Sequence, residues 1–172
     1  MIPQANPLAS YLAQKAEIDA SVQRVLAGGS YLLGPETAAF EDEFARAVGA
    51  RYAIGVANGT DALCLALRAL GVRPGDHVVT VSHTAVATAV AILMAGATPI
   101  FVDIDPETMS MPLSGLRAAL ASKPRAVVVT HLYGRLAPIE ELTSLAHATG
   151  AMVVEDCAQA HGARRGGRHA GT

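Results

Sequence analysis

Charge is scarce in this sequence. Only 16% of its 172 residues are Asp, Glu, Lys or Arg, the net charge is −2, and the two signs are interspersed. No basic face for nucleic acid and no charged disordered arm is expected from such a pattern. Cysteine is scarcer still. Cys64 and Cys157 stand far apart, which excludes a disulfide framework or a CxxC site and reads as two reduced, partly buried thiols of a cytoplasmic protein. The opening stretch MIPQANPLASYLAQKAE lacks a basic region leading into an apolar one, which argues against a signal peptide. Long apolar runs are missing too. Residues 85–102 approach the length of a membrane span but are broken by Gly96 and Pro99, so a buried helix followed by a buried strand is expected, and no membrane. No internal repeat or low-complexity linker interrupts the chain, and its only lysines are Lys15 and Lys123.

What the chain has is apolar residues, 51% of the total. They recur as short β-branched runs at 52–57, 77–81, 98–104, 126–131 and 151–156, the pattern of strands buried on both faces. Helical patterns fill 60–70, 84–95, 112–121 and 138–149, with Gly71, Gly96 and Gly150 placed to end three of them. Such alternation predicts an α/β protein with a mostly parallel sheet and right-handed crossovers. Two further helices are expected over 8–27 and 36–48, the second started by Pro35 and Glu36. The closing stretch GARRGGRHAGT reads as a loop without a closing element.

In a parallel sheet, ligands bind beyond the carboxyl ends of the strands. The turn Asn58-Gly59-Thr60-Asp61 opens a helix whose free N–H groups, assigned to Thr60, Asp61 and Ala62, suit an anion, although on the turn alone plain helix capping is the favoured explanation. The spacing matches neither a Walker A loop nor a GxGxxG fingerprint. After the run 77–81, Ser82 or Thr84 is expected to cap the next helix, with His83 above the sheet edge or simply solvated. Asp103-Ile104-Asp105-Pro106 reads as a turn. His131-Leu132-Tyr133-Gly134 divides evenly between site and packing. The strongest feature is Glu155-Asp156-Cys157-Ala158-Gln159-Ala160-His161. Two adjacent carboxylates end an apolar strand, and because successive strand residues face opposite ways only one can meet a shared ligand. A carboxylate held there needs a cationic or hydrogen-bonding partner. Asp156, His161 and His169 are the candidates for a metal, but their spacing fits no ligand pattern and no metal is expected.

With these motifs in order and spacing, the chain resembles the sugar aminotransferases of the DegT/DnrJ/EryC1/StrS family, which use pyridoxal 5′-phosphate on the aspartate-aminotransferase fold. The resemblance runs from EIDASVQRVLAGGSYLLGPE through GVANGTDALCLAL, SHTAVATAVAILMAGATPIFVDIDPET and VTHLYG to VVEDCAQAHGA. It implies a three-layer α/β large domain, of which residues 1–172 are the N-terminal part, with the rest of that domain and a small C-terminal domain beyond them. It implies that Gly59, Thr60 and Asp61 hold the cofactor phosphate, that Asp156 pairs with the pyridine nitrogen, and that Gln159 hydrogen-bonds the phenolic oxygen. Glu155 would then turn away into structure. Where many members carry a ring-stacking aromatic residue this chain has Ala85, and His83 is the substitute. Tyr31 is the candidate substrate contact.

The substrate class implied is a nucleotide-linked keto-sugar, with glutamate as amino donor and a homodimer as the working unit. The lysine that anchors the cofactor in the family lies downstream of these residues, so no catalytic residue is assigned within them. Lys15 and Lys123 read as surface charges. By itself this stretch is expected to be an inactive fragment. The alternatives are a sugar dehydratase of the same fold, with histidine in place of that lysine, and a non-catalytic regulatory or binding protein that keeps the phosphate cup.

Overall fold

The computed structural model describes residues 5–172; residues 1–4, the start of the stretch read as lacking a signal peptide, lie outside the described residues. The chain divides into two compact units, residues 1–55 and 56–172.

The first unit is helical: α1 (Pro7–Ala13), α2 (Lys15–Gly28) and α3 (Pro35–Val48). The single helix expected over 8–27 is two, because the backbone leaves the helical region at Gln14 (φ −123°). The break is stitched by Asp19, which accepts the Tyr11 hydroxyl at 2.8 Å and pairs with Lys15 one turn away. Gly29, at φ 70°, closes α2 in the left-handed conformation that glycine adopts without penalty. Pro35 sits in the first turn of α3, where its missing N–H costs nothing, and Glu36 beside it takes both the Nε and Nη2 hydrogens of Arg24 at 2.6 and 3.1 Å. Glu41 of α3 accepts the Gly55 N–H at 2.6 Å.

The run 52–57, expected to be a strand, is not one. A strand exists only by pairing, and among the described residues none forms a ladder with it. Its Tyr52 and Ile54 are 73% and 81% exposed as a result.

The second unit is a three-layer α/β structure. It contains α4 (Gly59–Ala69), β1 (His77–Val81), α5 (Val86–Met94), β2 (Thr98–Val102), α6 (Leu113–Ala119), β3 (Ala126–Thr130), α7 (Ile139–His147) and β4 (Met152–Asp156). The sheet order is β2-β1-β3-β4, with every pair parallel. Alternation along the strands divides the core. Val78, Ala126 and Val128 pack with Leu63, Leu67, Ala91 and Ile92 of α4 and α5, while Val79, Val81, Val127 and Val129 pack with Leu116, Leu142 and Ala146 of α6 and α7. Both faces are therefore covered, which is why β1 and β3 read as unbroken apolar runs.

The last stretch also departs from expectation. Instead of an open loop it forms a hairpin of β5 (Arg164–Arg165) and β6 (Arg168–His169). Gly166 and Gly167 both have positive φ, 56° and 83°, as a two-residue turn with the twist of a hairpin requires. Among the described residues, no helix is long and apolar enough to cross a membrane.

Candidate active site

From β1 the chain moves to one side to build β2 and then crosses to the other side to build β3. The strand order reverses there, so a crevice opens between the carboxyl ends of β1 and β3, the usual seat of a ligand in such a sheet. The loops that leave these ends carry His83 and Tyr133. Their side chains meet: the His83 Nε2 and the Tyr133 hydroxyl are 3.0 Å apart, with ring centroids at 6.0 Å. Tyr133 takes a left-handed backbone conformation, φ 57° and ψ 25°. Its N–H donates to Oε1 of Gln159 at 3.0 Å, which ties the loop after β3 to the loop after β4.

The two carboxylates at the end of β4 separate as strand geometry demands. Asp156 lies on the α4 and α5 side. Its Oδ1 accepts the Ala158 N–H at 3.1 Å, and its Oδ2 takes the Thr88 hydroxyl of α5 at 3.5 Å. Thr88 in turn meets Thr84 at 3.2 Å, and Thr84 donates to Thr130 at 3.4 Å. Among the described residues no cation pairs with Asp156. Glu155 faces the α6 and α7 side, where its Oε2 is 2.9 Å from Nε2 of the wholly buried His131 and accepts the Gly171 N–H at 3.0 Å. Burial pushes the Glu155 carboxyl up, but the hydrogen bonds from His131 and Gly171, with the positive charge of Arg168, outweigh it and hold the group below the ordinary carboxylate range. The expected inward turn of Glu155 is what the geometry has.

The start of α4 corrects one detail. Asn58 caps the helix: its Oδ1 accepts the Asp61 N–H at 2.9 Å, its carbonyl accepts the Ala62 N–H at 3.0 Å, and its amide donates to the Asp61 carboxylate at 2.9 Å. The donors assigned from sequence to Asp61 and Ala62 are thus consumed inside the cap. Those of Gly59 and Thr60 meet no partner among the described residues, since the first N–H groups of a helix have none within it. Capping therefore takes the N–H groups of Asp61 and Ala62, and Gly59 and Thr60 are the residues of the same turn left with donors to offer.

The start of α5 brings a second correction. Its cap is Ala85, with no side-chain hydrogen bond. Thr84, expected to cap, spends its hydroxyl on Thr88 and Thr130 instead, and Ala85 presents no ring. Asp105 behaves as the turn reading expects, accepting the N–H groups of Glu107 and Thr108 at 2.8 and 2.9 Å.

Asp156, His161 and His169 form no common set of ligands. The one group of metal-type side chains found among the described residues is His131, Glu155 and Cys157, whose ligand atoms lie within 4.8 Å of one another. The His131 ring is already committed: its Nδ1 lone pair accepts the Ala137 N–H at 3.1 Å, so Nε2 carries the hydrogen given to Glu155. Cys157 is equally unsuited, because burial, followed by the negative charges of Glu155 and Asp156, pushes its thiol up to about 12. Both cysteines are unpaired, as the sequence suggests.

The lysines are elsewhere. Lys123 precedes β3, at the amino end of the sheet, and Lys15 pairs with Asp19 in the first unit. Tyr31, also in the first unit, lies exposed on the loop between α2 and α3. The residue that sequence reasoning left undecided is Tyr133. Its signal was an aromatic side chain at a strand end, which by itself separates neither site from packing.

This arrangement has close counterparts. A dTDP-3-amino-3,4,6-trideoxy-alpha-D-glucose transaminase of Micromonospora megalomicea subsp. nigra is 47% identical over 165 residues, which cover 96% of this chain and 44% of that protein. The crystal structure of S. venezuelae DesV in complex with a ketimine intermediate superposes with a TM-score of 0.96 at 43% identity, over 99% of this chain and 46% of that one. The structure of NtdA from Bacillus subtilis with bound cofactor PMP superposes with a TM-score of 0.85 at 30% identity, over 92% and 36%. The chain thus spans less than half the length of the relatives it matches. Its sheet, flanking helices and strand-end loops are those of the pyridoxal-phosphate-dependent aminotransferase fold. The model of the DegT/DnrJ/EryC1/StrS aminotransferase family matches residues 13–172, and the chain belongs to that family.

Proposed function

We propose that residues 1–172 form the cofactor-holding half of a pyridoxal-5′-phosphate-dependent aminotransferase that acts on a nucleotide-linked keto-sugar, with glutamate as amino donor. The observation that carries this reading is Asp156. It is a carboxylate at the carboxyl end of an inner-layer strand, given two hydrogen-bond donors and, among the described residues, no cation. A protonated pyridine nitrogen is the cationic partner it lacks, and a charge-assisted hydrogen bond there keeps that nitrogen protonated. The neighbouring groups fit the rest of the cofactor. Gly59 and Thr60 offer two free N–H groups and a hydroxyl at the positive end of α4 for the phosphate. Asp61 supports them by closing the cap rather than by donating its N–H. Gln159 has its oxygen engaged and its amide hydrogens available for a phenolic oxygen. His83, held by Tyr133, provides a planar ring in the place of the missing aromatic side chain.

When bound, the cofactor supplies an electron-withdrawing ring that acidifies the carbon bearing the amine. The residues here bind and orient that ring. The base that moves the proton is not among them, since neither lysine stands at a strand's carboxyl end. Residues 1–172 alone are therefore expected to bind cofactor without turnover. Tyr31 is proposed as a substrate contact and a second copy of the protein as the partner; a cytoplasmic location rests on the two unpaired thiols.

The test uses the full-length protein loaded with pyridoxal 5′-phosphate. An absorbance band at the visible edge that shifts on adding glutamate is expected, followed by amination of a nucleotide-linked keto-sugar. A protein that retains no cofactor, or whose band ignores every amino donor, would not be an aminotransferase.

A further inference from the structure

We infer that Tyr133 is a positioning residue that fixes both the imidazole of His83 and the amide of Gln159, so that the two present a ring and a donor to the cofactor; the inference rests on the function proposed above. Three observations lead to it. First, Tyr133 has φ 57°, a conformation in which a residue with a Cβ is strained. Glycine, which sits there freely, is the very next residue in the chain. Second, packing does not account for the strain, because Tyr133 is 62% exposed. Third, the strained geometry makes two polar contacts. The backbone N–H reaches Gln159 Oε1 at 3.0 Å and the hydroxyl reaches His83 Nε2 at 3.0 Å.

The first contact decides the chemistry of Gln159. An N–H can only be met by the amide oxygen, so the nitrogen, with both hydrogens, is the atom left for a ligand. Gln159 is thereby made a donor and selects an acceptor such as a phenolate oxygen. The second contact holds one ring nitrogen of His83 and so limits rotation of the imidazole. These contacts join the loops after β1, β3 and β4 across the point where the strand order reverses.

Two variants remove the hydroxyl and keep the N–H. Tyr133→Phe keeps the backbone and ring and removes the hydroxyl. Tyr133→Asn keeps the N–H, tolerates the left-handed conformation better and removes the ring. In the full-length protein freed of cofactor, nitrogen NMR of the imidazoles should show the His83 signals moved in both variants while those of His131 stay in place. Pyridoxal 5′-phosphate, followed by fluorescence titration, should bind roughly 3- to 10-fold more weakly to each, the worth of one hydrogen bond. The melting temperature should not fall in either, and Tyr133→Asn should match or exceed the parent. Unmoved His83 signals, or a dissociation constant within twofold of the parent, would overturn the inference. If the full-length parent binds no pyridoxal 5′-phosphate, the functional proposal fails on its own, and the His83 signals still decide whether Tyr133 holds that ring.

Discussion

Glu155 and Asp156 are neighbours of the same charge, and replacing each should produce opposite losses. Consider Glu155→Ala first. The variant removes the acceptor for the Nε2–H of His131, a side chain with no exposure at all. A buried donor left without a partner costs about 1–3 kcal/mol. The Gly171 N–H loses the same oxygen but lies near solvent, where water replaces it at little cost. The expected destabilisation is about 2 kcal/mol, which for a chain of this size lowers the melting temperature by roughly 4–8 °C. Asp156→Asn keeps an oxygen for the Ala158 N–H and sits beside hydroxyls, so its stability should change by less than about 0.5 kcal/mol.

Its cofactor affinity should fall, because a charge-assisted hydrogen bond worth about 1.5–3 kcal/mol becomes a neutral one. A neutral bond retains about 0.5–1.5 kcal/mol of that, so the loss is about 1–1.5 kcal/mol, and at 1.4 kcal/mol per factor of ten the dissociation constant for pyridoxal 5′-phosphate should rise roughly 5- to 10-fold. Glu155→Ala should leave that constant nearly unchanged in the folded protein. Melting is followed by far-ultraviolet circular dichroism, since the chain has no tryptophan for fluorescence. Equal effects of the two variants on stability, or weaker binding by Glu155→Ala alone, would refute the assignment of the two side chains to opposite faces.

Three further outcomes follow from single groups. The Glu155 carboxyl is held below its unfolded value of 4.5, so the stability it contributes is complete above that pH and is lost as the pH falls through the lower folded value. Acid titration of stability should therefore steepen below about pH 4.5 and flatten there in Glu155→Gln. Cys157, its thiol pushed up to about 12, should react with a thiol reagent at pH 8 far more slowly in the native chain than in urea, and equal rates would contradict the buried, anionic surroundings. In Gly115→Ala the new Cβ meets Cγ1 of Val102 at 2.3 Å. The overpacking, about 1–3 kcal/mol, should exceed the helix-propensity gain of about 1 kcal/mol and lower the melting temperature.

The layering of this protein is legible in its residues alone. Apolar runs such as HVVTV and AVVVT fold as β1 and β3 because a strand covered on both faces has no polar side to display. The same local logic placed Pro35 at a helix start and set Glu155 and Asp156 on opposite faces, since the period of two is a property of any strand. It misjudged what depends on partners distant in the chain. The run 52–57 has the composition of a strand, yet no ladder forms beside it among the described residues. Thr84 has the chemistry of a cap, but tertiary packing brings Thr88 and Thr130 within its reach. Donors at the start of α4 were legible as a set, whereas their division between the cap and a ligand required the Asn58 side chain to be seen in place. Tyr133 shows the limit most clearly. A tyrosine after a strand can pack, bind or do neither, and only the fold brings its hydroxyl to His83, 50 residues earlier, and its N–H to Gln159, 26 residues later. Local periodicity fixes which way a side chain faces; which group it meets there is decided by how the strands are ordered, and that order belongs to the tertiary structure.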